Sequence, residues 1–291
     1  MLIARLIADT AALSLTQDIE ARLNEAGISA SVSGWGDSSG IQLRAEGTDP
    51  AALAKALDAQ FSPSDLLIAD HLPLVPRVFV SDMDSTMIAA ECIDELADFA
   101  GIKPQIAAIT ERAMLGELDF VSALRERVGL LRGLTEGAIA ECLANRIAMM
   151  PGAKVLVETL KSKGCRTVLV TGGFHQFADP VAEELGFDRV VANRLDIVDG
   201  KLTGGLIGPI TDSSVKRAVL LEEAALLGSG TITLATGDGA NDIPMLEAAT
   251  YGIAFAAKPK ARAAANGWID RGNLTGVLQL LGIPVDEWVW E

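Results

Sequence analysis

Positive charge is scarce in this 291-residue chain: 24 Lys and Arg stand against 39 Asp and Glu, for a formal net charge of −15. A partner held through its phosphate backbone needs a basic footprint, so nucleic acid is excluded. A small anionic substrate is not excluded, because it needs only a local cluster of positive groups. Aromatic residues make up only 4% of the chain, so Ala, Leu, Ile and Val must fill the core. Cysteine is also sparse. Cys92, Cys142 and Cys165 are odd in number, widely spaced and free of any CxxC pair. That excludes a disulfide framework and a zinc site, and it points to the reducing cytoplasm. No window reaches about 18 apolar residues without a charge, so no membrane span is expected. The N-terminus has no charged segment leading into an apolar run and a cleavage site, which fits the same compartment.

What is present is ample core material, 49% hydrophobic against 22% charged. Residues 1–72 read as a small α+β unit. Strands are expected at 1–8, 28–33, 40–44 and 65–68, with helices at 15–26 and 49–61. The order β-α-β-β-α-β is that of a ferredoxin-like sandwich. Pro73 and Pro76 mark a linker. From residue 77 to 291, strands and helices alternate, the signature of a parallel, Rossmann-like α/β sheet. Strands are expected at 77–81, 167–170, 189–192, 231–235 and 252–255. Residues from about 90 to 150 show helical periodicity only, so an inserted helical cap is expected over the first strand's tip.

The most telling segment is Arg77-Val78-Phe79-Val80-Ser81-Asp82-Met83-Asp84-Ser85-Thr86. An apolar run ends in two aspartates one residue apart. Alternate residues of a strand project to one side, so both carboxylates can face a site beyond its C-terminal end, where ligands bind in open α/β sheets. Two carboxylates this close repel each other unless a cation or proton intervenes. Two later strands also run into polar turns. Thr171-Gly172-Gly173 can present a hydroxyl and backbone N–H groups to a phosphate at a strand-to-helix turn. Gly237-Asp238-Gly239-Ala240-Asn241-Asp242 places more carboxylates at the same edge, and Lys216 lies between the two motifs. Singly, these are an ordinary turn, a helix cap and a solvated lysine. Together they suit a hard cation, and Mg²⁺ with a substrate phosphate fits best.

DxDST at the first strand, TGG at the second, then a lysine and GDGxND form a motif set that resembles the haloacid-dehalogenase-like phosphohydrolases. Within them the chain resembles the phosphoserine phosphatase subgroup. Glu91 follows the first motif at the subgroup's spacing. Thr110-Glu111-Arg112-Ala113-Met114, Gly116-Glu117-Leu118-Asp119-Phe120 and Leu124-Arg125-Glu126-Arg127-Val128 match as well. So does Val191-Ala192-Asn193-Arg194-Leu195 with Asp199-Gly200-Lys201-Leu202-Thr203-Gly204. The resemblance covers about 77–281. The family often has Ser at position 171 and Phe at position 83. Thr171 keeps the hydroxyl and Met83 keeps an apolar body.

The resemblance implies roles. Asp82 would attack phosphorus and Asp84 would act as general acid, then base. Mg²⁺ would be held by Asp82, the Asp84 carbonyl and Asp238, with Asp242 orienting the outer shell. Thr171, Gly172 and Lys216 would neutralise the phosphoryl group, and Asn241 would orient Lys216 or the phosphate. Glu91 would meet the substrate ammonium and Arg127 its carboxylate. Met114 and Phe120 would form an apolar wall. The implied reaction is hydrolysis of O-phospho-L-serine, the last step of serine biosynthesis. A phosphotransferase passing the group to another alcohol such as homoserine is the alternative. A non-catalytic amino-acid sensor is a third reading, because residues 1–72 also resemble the small regulatory ACT fold. The small-molecule substrate is the one expected partner, with a homodimer left open. His175 is expected to support a helix start, and His71 to be exposed in the linker.

Overall fold

The computed structural model describes residues 1–9, 16–35, 40–114 and 117–290. The chain opens with β1 (Leu2–Ile7), α1 (Thr16–Glu25), β2 (Ala30–Trp35), β3 (Gly40–Ala45), α2 (Pro50–Phe61) and β4 (Asp65–Ala69). Pro50 and the Asp49 carboxylate, which accepts the Ala52 N–H, start α2 where a proline costs no hydrogen bond. The four strands pair antiparallel in the order β2-β3-β1-β4. This is the order expected of a ferredoxin-like sandwich. Leu6, Leu23, Leu43, Leu57 and Phe61 pack its separate core.

After the proline-bearing linker comes β5 (Val78–Ser81), followed by four helices without a strand: α3 (Cys92–Phe99), α4 (Lys103–Met114), α5 (Phe120–Leu130) and α6 (Glu136–Arg146). These are the expected cap. The chain enters and leaves it along a short two-stranded stalk, where the Ala89 N–H donates to Ala148 O and the Met150 N–H to Met87 O. The remaining elements are α7 (Ala153–Ser162), β6 (Arg166–Phe174), α8 (His175–Leu185), β7 (Arg189–Val198), β8 (Lys201–Ile207), α9 (Ser213–Leu227), β9 (Thr233–Gly237), α10 (Ile243–Ala248), β10 (Tyr251–Phe255), α11 (Pro259–Ala264), β11 (Gly267–Ile269) and α12 (Thr275–Leu281).

Strands β11, β10, β9, β5, β6 and β7 run parallel. The inner strands β5 and β10 are buried on both faces, because helices cover both. Phe79, Leu169 and Leu234 pack with α7, α8 and α12. Their neighbours Val78, Val80, Val168, Val170 and Ala235 pack with α9, α10 and α11. β11 also pairs antiparallel with β4, so all eleven described strands form one continuous sheet. None of the described helices is long and apolar enough to cross a membrane.

Three expectations need correction. β8 and β11 were not anticipated. β8 carries Gly204 and Gly205 and exists through its pairing with β7, and β11 is only three residues long. The Thr171-Gly172-Gly173 segment is not a strand-to-helix turn, because β6 continues irregularly to Phe174 before α8 begins. His71 is half-buried rather than free in the linker, with its ring bonded to Asp70 and to the Tyr251 hydroxyl. His175 does sit at the start of α8, bonded to Asp179 one turn on. The three cysteines are buried and unpaired.

Candidate active site

β5 lies between β6 and β9, so the chain order reverses at β5. A crevice opens outside the carboxyl ends of strands at such a point. The motifs meet there: Asp82 and Asp84 just past β5, Thr171 and Gly172 in the last part of β6, and Asp238 just past β9.

The loop after β5 closes on the Met83 carbonyl, which accepts the N–H groups of Thr86, Met87 and Ile88 at 3.2, 2.8 and 3.1 Å. Ser85 adopts φ +54°, a left-handed conformation that costs a residue with a side chain about 1–3 kcal/mol. Its hydroxyl donates to Glu91 Oε1 at 3.0 Å, tying the motif to the start of the cap.

Asp82 is buried. Its Oδ1 accepts the Met83 N–H and the Lys216 ammonium, both at 2.7 Å. Its Oδ2 has no donor among the described residues. Lys216, only 1% exposed, bridges Asp82 Oδ1 and Asp242 Oδ1, each at 2.7 Å. α9 fixes it there. Asp212 caps that helix by accepting the N–H groups of Ser214 and Val215 at 2.9 and 3.2 Å. The other Asp242 oxygen accepts the Asp238 and Gly239 N–H groups at 3.2 and 3.0 Å. Gly237 is required by this fold-back, since a Cβ there would sit 2.4 Å from Asp242 Cγ.

Burial would lower the Lys216 pKa, but the charges of Asp82 and Asp242 outweigh it and raise it. Asp82 is pushed well above the carboxylate range by burial, then by Asp242, and Lys216 only partly offsets them. One ammonium is therefore too little positive charge for this cluster. Carboxylate oxygens of Asp82, Asp238 and Asp242 lie within 4.8 Å of one another. An all-oxygen, anionic donor set suits a hard divalent cation of the Mg²⁺ type.

Asp84 lies beside this cluster. Its Oδ1 accepts the Cys92 N–H at the first turn of α3, at 2.9 Å, and its Oδ2 accepts the Thr171 hydroxyl at 3.4 Å. Burial raises its pKa despite these donors. Gly173 permits the approach, since a Cβ there would meet Asp84 Oδ2 at 2.9 Å.

A cavity of ≈ 430 Å³ covers these groups. Asp82, Asp84, Glu91, Phe120, Arg127, Thr171, Gly172, Asp238 and Asn241 line it. Lys216 and Asp242 lie buried beside it. Phe120 leans over Gly172, where a Cβ would meet its ring at 3.3 Å. Arg127 is half-buried, with Nε donating to Ala123 O at 3.4 Å. Glu91 opens to the cavity, yet its pKa is pushed up to about 7 by partial burial, then by Asp84, against the Ser85 hydroxyl. Met114 ends α4; its side chain and Gly116 fall outside the described residues. A larger cleft of ≈ 900 Å³ lies between β1 and the C-terminal segment, and it is lined by none of the motif residues.

One cavity residue went unread in the sequence. Lys258 reaches Asp238 Oδ2 at 3.2 Å, and its own N–H donates to Asp238 O at 2.9 Å. It lies two residues after Ala256, which sits at φ +41°. No strand-end motif announces a lysine delivered by such a bend.

Comparison with known proteins places the chain in a family. The haloacid dehalogenase-like hydrolase family matches residues 79–247. The phosphoserine phosphatase of Albidiferax ferrireducens is 43% identical over 237 residues, covering 79% of this chain and 98% of that protein. A probable phosphoserine phosphatase from Vibrio cholerae has a similar solved structure. Its TM-score is 0.77 at 32% identity, covering 98% of this chain and 88% of that one. An HAD family hydrolase from Salmonella enterica gives a TM-score of 0.85 at 29% identity, covering 97% of this chain and 98% of that one.

Proposed function

Because the chain belongs to the haloacid dehalogenase-like hydrolases, we propose that it hydrolyses O-phospho-L-serine to L-serine and phosphate, using Mg²⁺ in the cytoplasm, as the last step of serine biosynthesis. One observation carries the reading: Asp82 has one oxygen anchored by Lys216 and the other without a donor among the described residues, beside an Asp84 that burial favours as an acid. The names of the relatives support the substrate.

Asp82 Oδ2 attacks phosphorus and forms an aspartyl-phosphate while the P–O bond to the seryl oxygen breaks. Asp84 delivers its proton to that oxygen, so L-serine leaves neutralised. The same carboxylate then takes a proton from the water that cleaves the aspartyl-phosphate, which restores both aspartates. Asp82, the Asp84 carbonyl and Asp238 would hold Mg²⁺, and Asp242 steadies Asp238 through its backbone N–H. When bound, Mg²⁺ supplies charge stabilisation for the phosphoryl oxygens. Thr171, Gly172 and Lys216 contribute to the same stabilisation, with Asn241 beside them. Glu91 accepts the substrate ammonium, Arg127 pairs with its carboxylate, and Phe120 and Met114 exclude bulk water.

The test is phosphate release from L-phosphoserine with Mg²⁺, with and without homoserine. Release that homoserine does not change supports hydrolysis. Phosphorylation of homoserine without phosphate release would replace the reading with a transferase. Chelation should abolish turnover, and Mg²⁺ should restore it. At 100 times its dissociation constant, Mg²⁺ should add about 2.7 kcal/mol of stability. Asp238→Asn should lose most of that gain in thermal unfolding.

Glu91 gives a pH signature. With a pKa of about 7, its carboxyl is neutral below that pH and anionic above it. Only the anion attracts the substrate ammonium, so KM should fall as pH rises through about 7. Glu91→Gln should raise KM and flatten that limb. An identical pH profile in the variant would remove Glu91 from substrate recognition.

A further inference from the structure

Asn193 lies in β7, outside the cavity, and is 1% exposed. Its side-chain amide makes three hydrogen bonds. Nδ2 donates to Gly172 O at 2.8 Å and to Thr211 O at 3.4 Å, and Oδ1 accepts the Thr211 N–H at 2.9 Å. Three partners of this kind fix the amide orientation, since a flipped amide would face a carbonyl with an oxygen. Gly172 lines the cavity from the last part of β6. Thr211 directly precedes Asp212, the cap of the helix that carries Lys216. One side chain thus joins the two segments that supply positive character to the cavity.

The joint acts on a single peptide plane. Asn193 holds the carbonyl of the Gly172–Gly173 peptide, and the N–H of the same peptide donates to Thr171 Oγ1 at 2.8 Å. That oxygen in turn faces Asp84 at 3.4 Å. Rotation of this peptide would withdraw the N–H that holds the Thr171 hydroxyl beside Asp84. A glycine pair resists such rotation poorly by itself, so the restraint has to come from outside the loop.

We propose that Asn193 is a positioning residue that locks the Thr171-Gly172-Gly173 segment to the start of α9 and so sets the geometry in which the site receives a phosphoryl group. It touches neither substrate nor reacting atoms. The proposal rests on the phosphatase reading for its turnover measurement only.

The experiment uses the full chain with Mg²⁺ and compares wild type, Asn193→Ala, Asn193→Asp and Thr167→Val. Asn193→Asp keeps an acceptor for the Thr211 N–H but loses the donor to Gly172. Thr167→Val removes a buried hydroxyl bonded to Asp188 at the opposite end of β6 and controls for general destabilisation. Inorganic phosphate affinity by calorimetry is read beside kcat, KM and thermal unfolding. Misplacing a site by about 1 Å can cost roughly 10²-fold in rate. The expected result is a fall of that order in kcat for both Asn193 variants, with KM changed less and phosphate bound about tenfold more weakly. Thr167→Val should lose stability without these changes. Equal kcat losses in all three variants, or unchanged phosphate affinity in both Asn193 variants, would overturn the proposal. So would a failure of both Asn193 variants to fold, which would make the residue a determinant of the fold. If wild type binds phosphate but does not hydrolyse phosphoserine, the substrate reading falls and phosphate affinity alone decides on Asn193.

Discussion

Asp82→Asn should abolish phosphate release from phosphoserine while leaving the fold intact. The substitution is isosteric, and the amide oxygen can still accept from the Met83 N–H and Lys216. What disappears is the second carboxylate oxygen, the proposed nucleophile. Removing a nucleophile from a concerted set of residues costs on the order of 10⁴- to 10⁶-fold in kcat. Stability should move little or rise. In the native site, burial and Asp242 push Asp82 well above the ordinary carboxylate range, so its charge is a load on the fold. Substitutions that relieve such strain at a site often stabilise at the expense of function. Phosphate release paired with thermal unfolding of the same preparation checks both halves. Activity within tenfold of wild type would remove Asp82 from the nucleophile role.

The second large effect belongs to Lys216→Met, which keeps length and apolar stem while deleting the charge. Asp82 and Asp242 then remain buried with no ammonium between them. Breaking a buried ion pair from one side costs about 3–5 kcal/mol, a large share of a typical 5–15 kcal/mol total. The pH dependence has a definite sign. Lys216 is what holds the Asp82 pKa down against burial and Asp242, so without it the folded-state pKa of Asp82 lies still further above its unfolded value. Its charged form then destabilises above the carboxylate range, and the deficit shrinks as protons return at lower pH. Mg²⁺ should recover part of the loss at neutral pH, because it supplies charge to the same oxygens. Denaturant titrations at pH 7 and at about pH 5, with and without Mg²⁺, read these differences. A loss that is the same at both pH values would mean that packing, not charge, explains it.

The strand ends of the candidate site were legible because each announces itself locally. Val78, Phe79 and Val80 are buried on both faces, and the change to Asp82 and Asp84 is abrupt. Gly237 and Gly173 mark places where a Cβ cannot fit. Lys216 was legible only by its position between motifs, since nothing in its own neighbourhood distinguishes it from a solvated lysine. β8 was missed because its two glycines and Thr203 blur the alternation, and the partner strand supplies its order. Asn193 was quoted for its resemblance but its task was unreadable. Its three hydrogen bonds go to backbone atoms 18 and 21 residues away. Lys258 depends on a bend at Ala256 that no residue type dictates.

The continuity of the sheet matters for assembly as well as for architecture. β11 is three residues long, and β4 occupies its outer side through Gly267, Trp268 and Ile269. An unpaired strand edge is a template onto which another chain can add. Here β4 fills that position, and Trp268 is buried against the core of the N-terminal unit. The N-terminal unit therefore covers the β11 edge and moves the outer edge of the described sheet on that side to β2. A chain shortened to begin at the linker would keep every motif residue and leave β11 unpaired on its outer side.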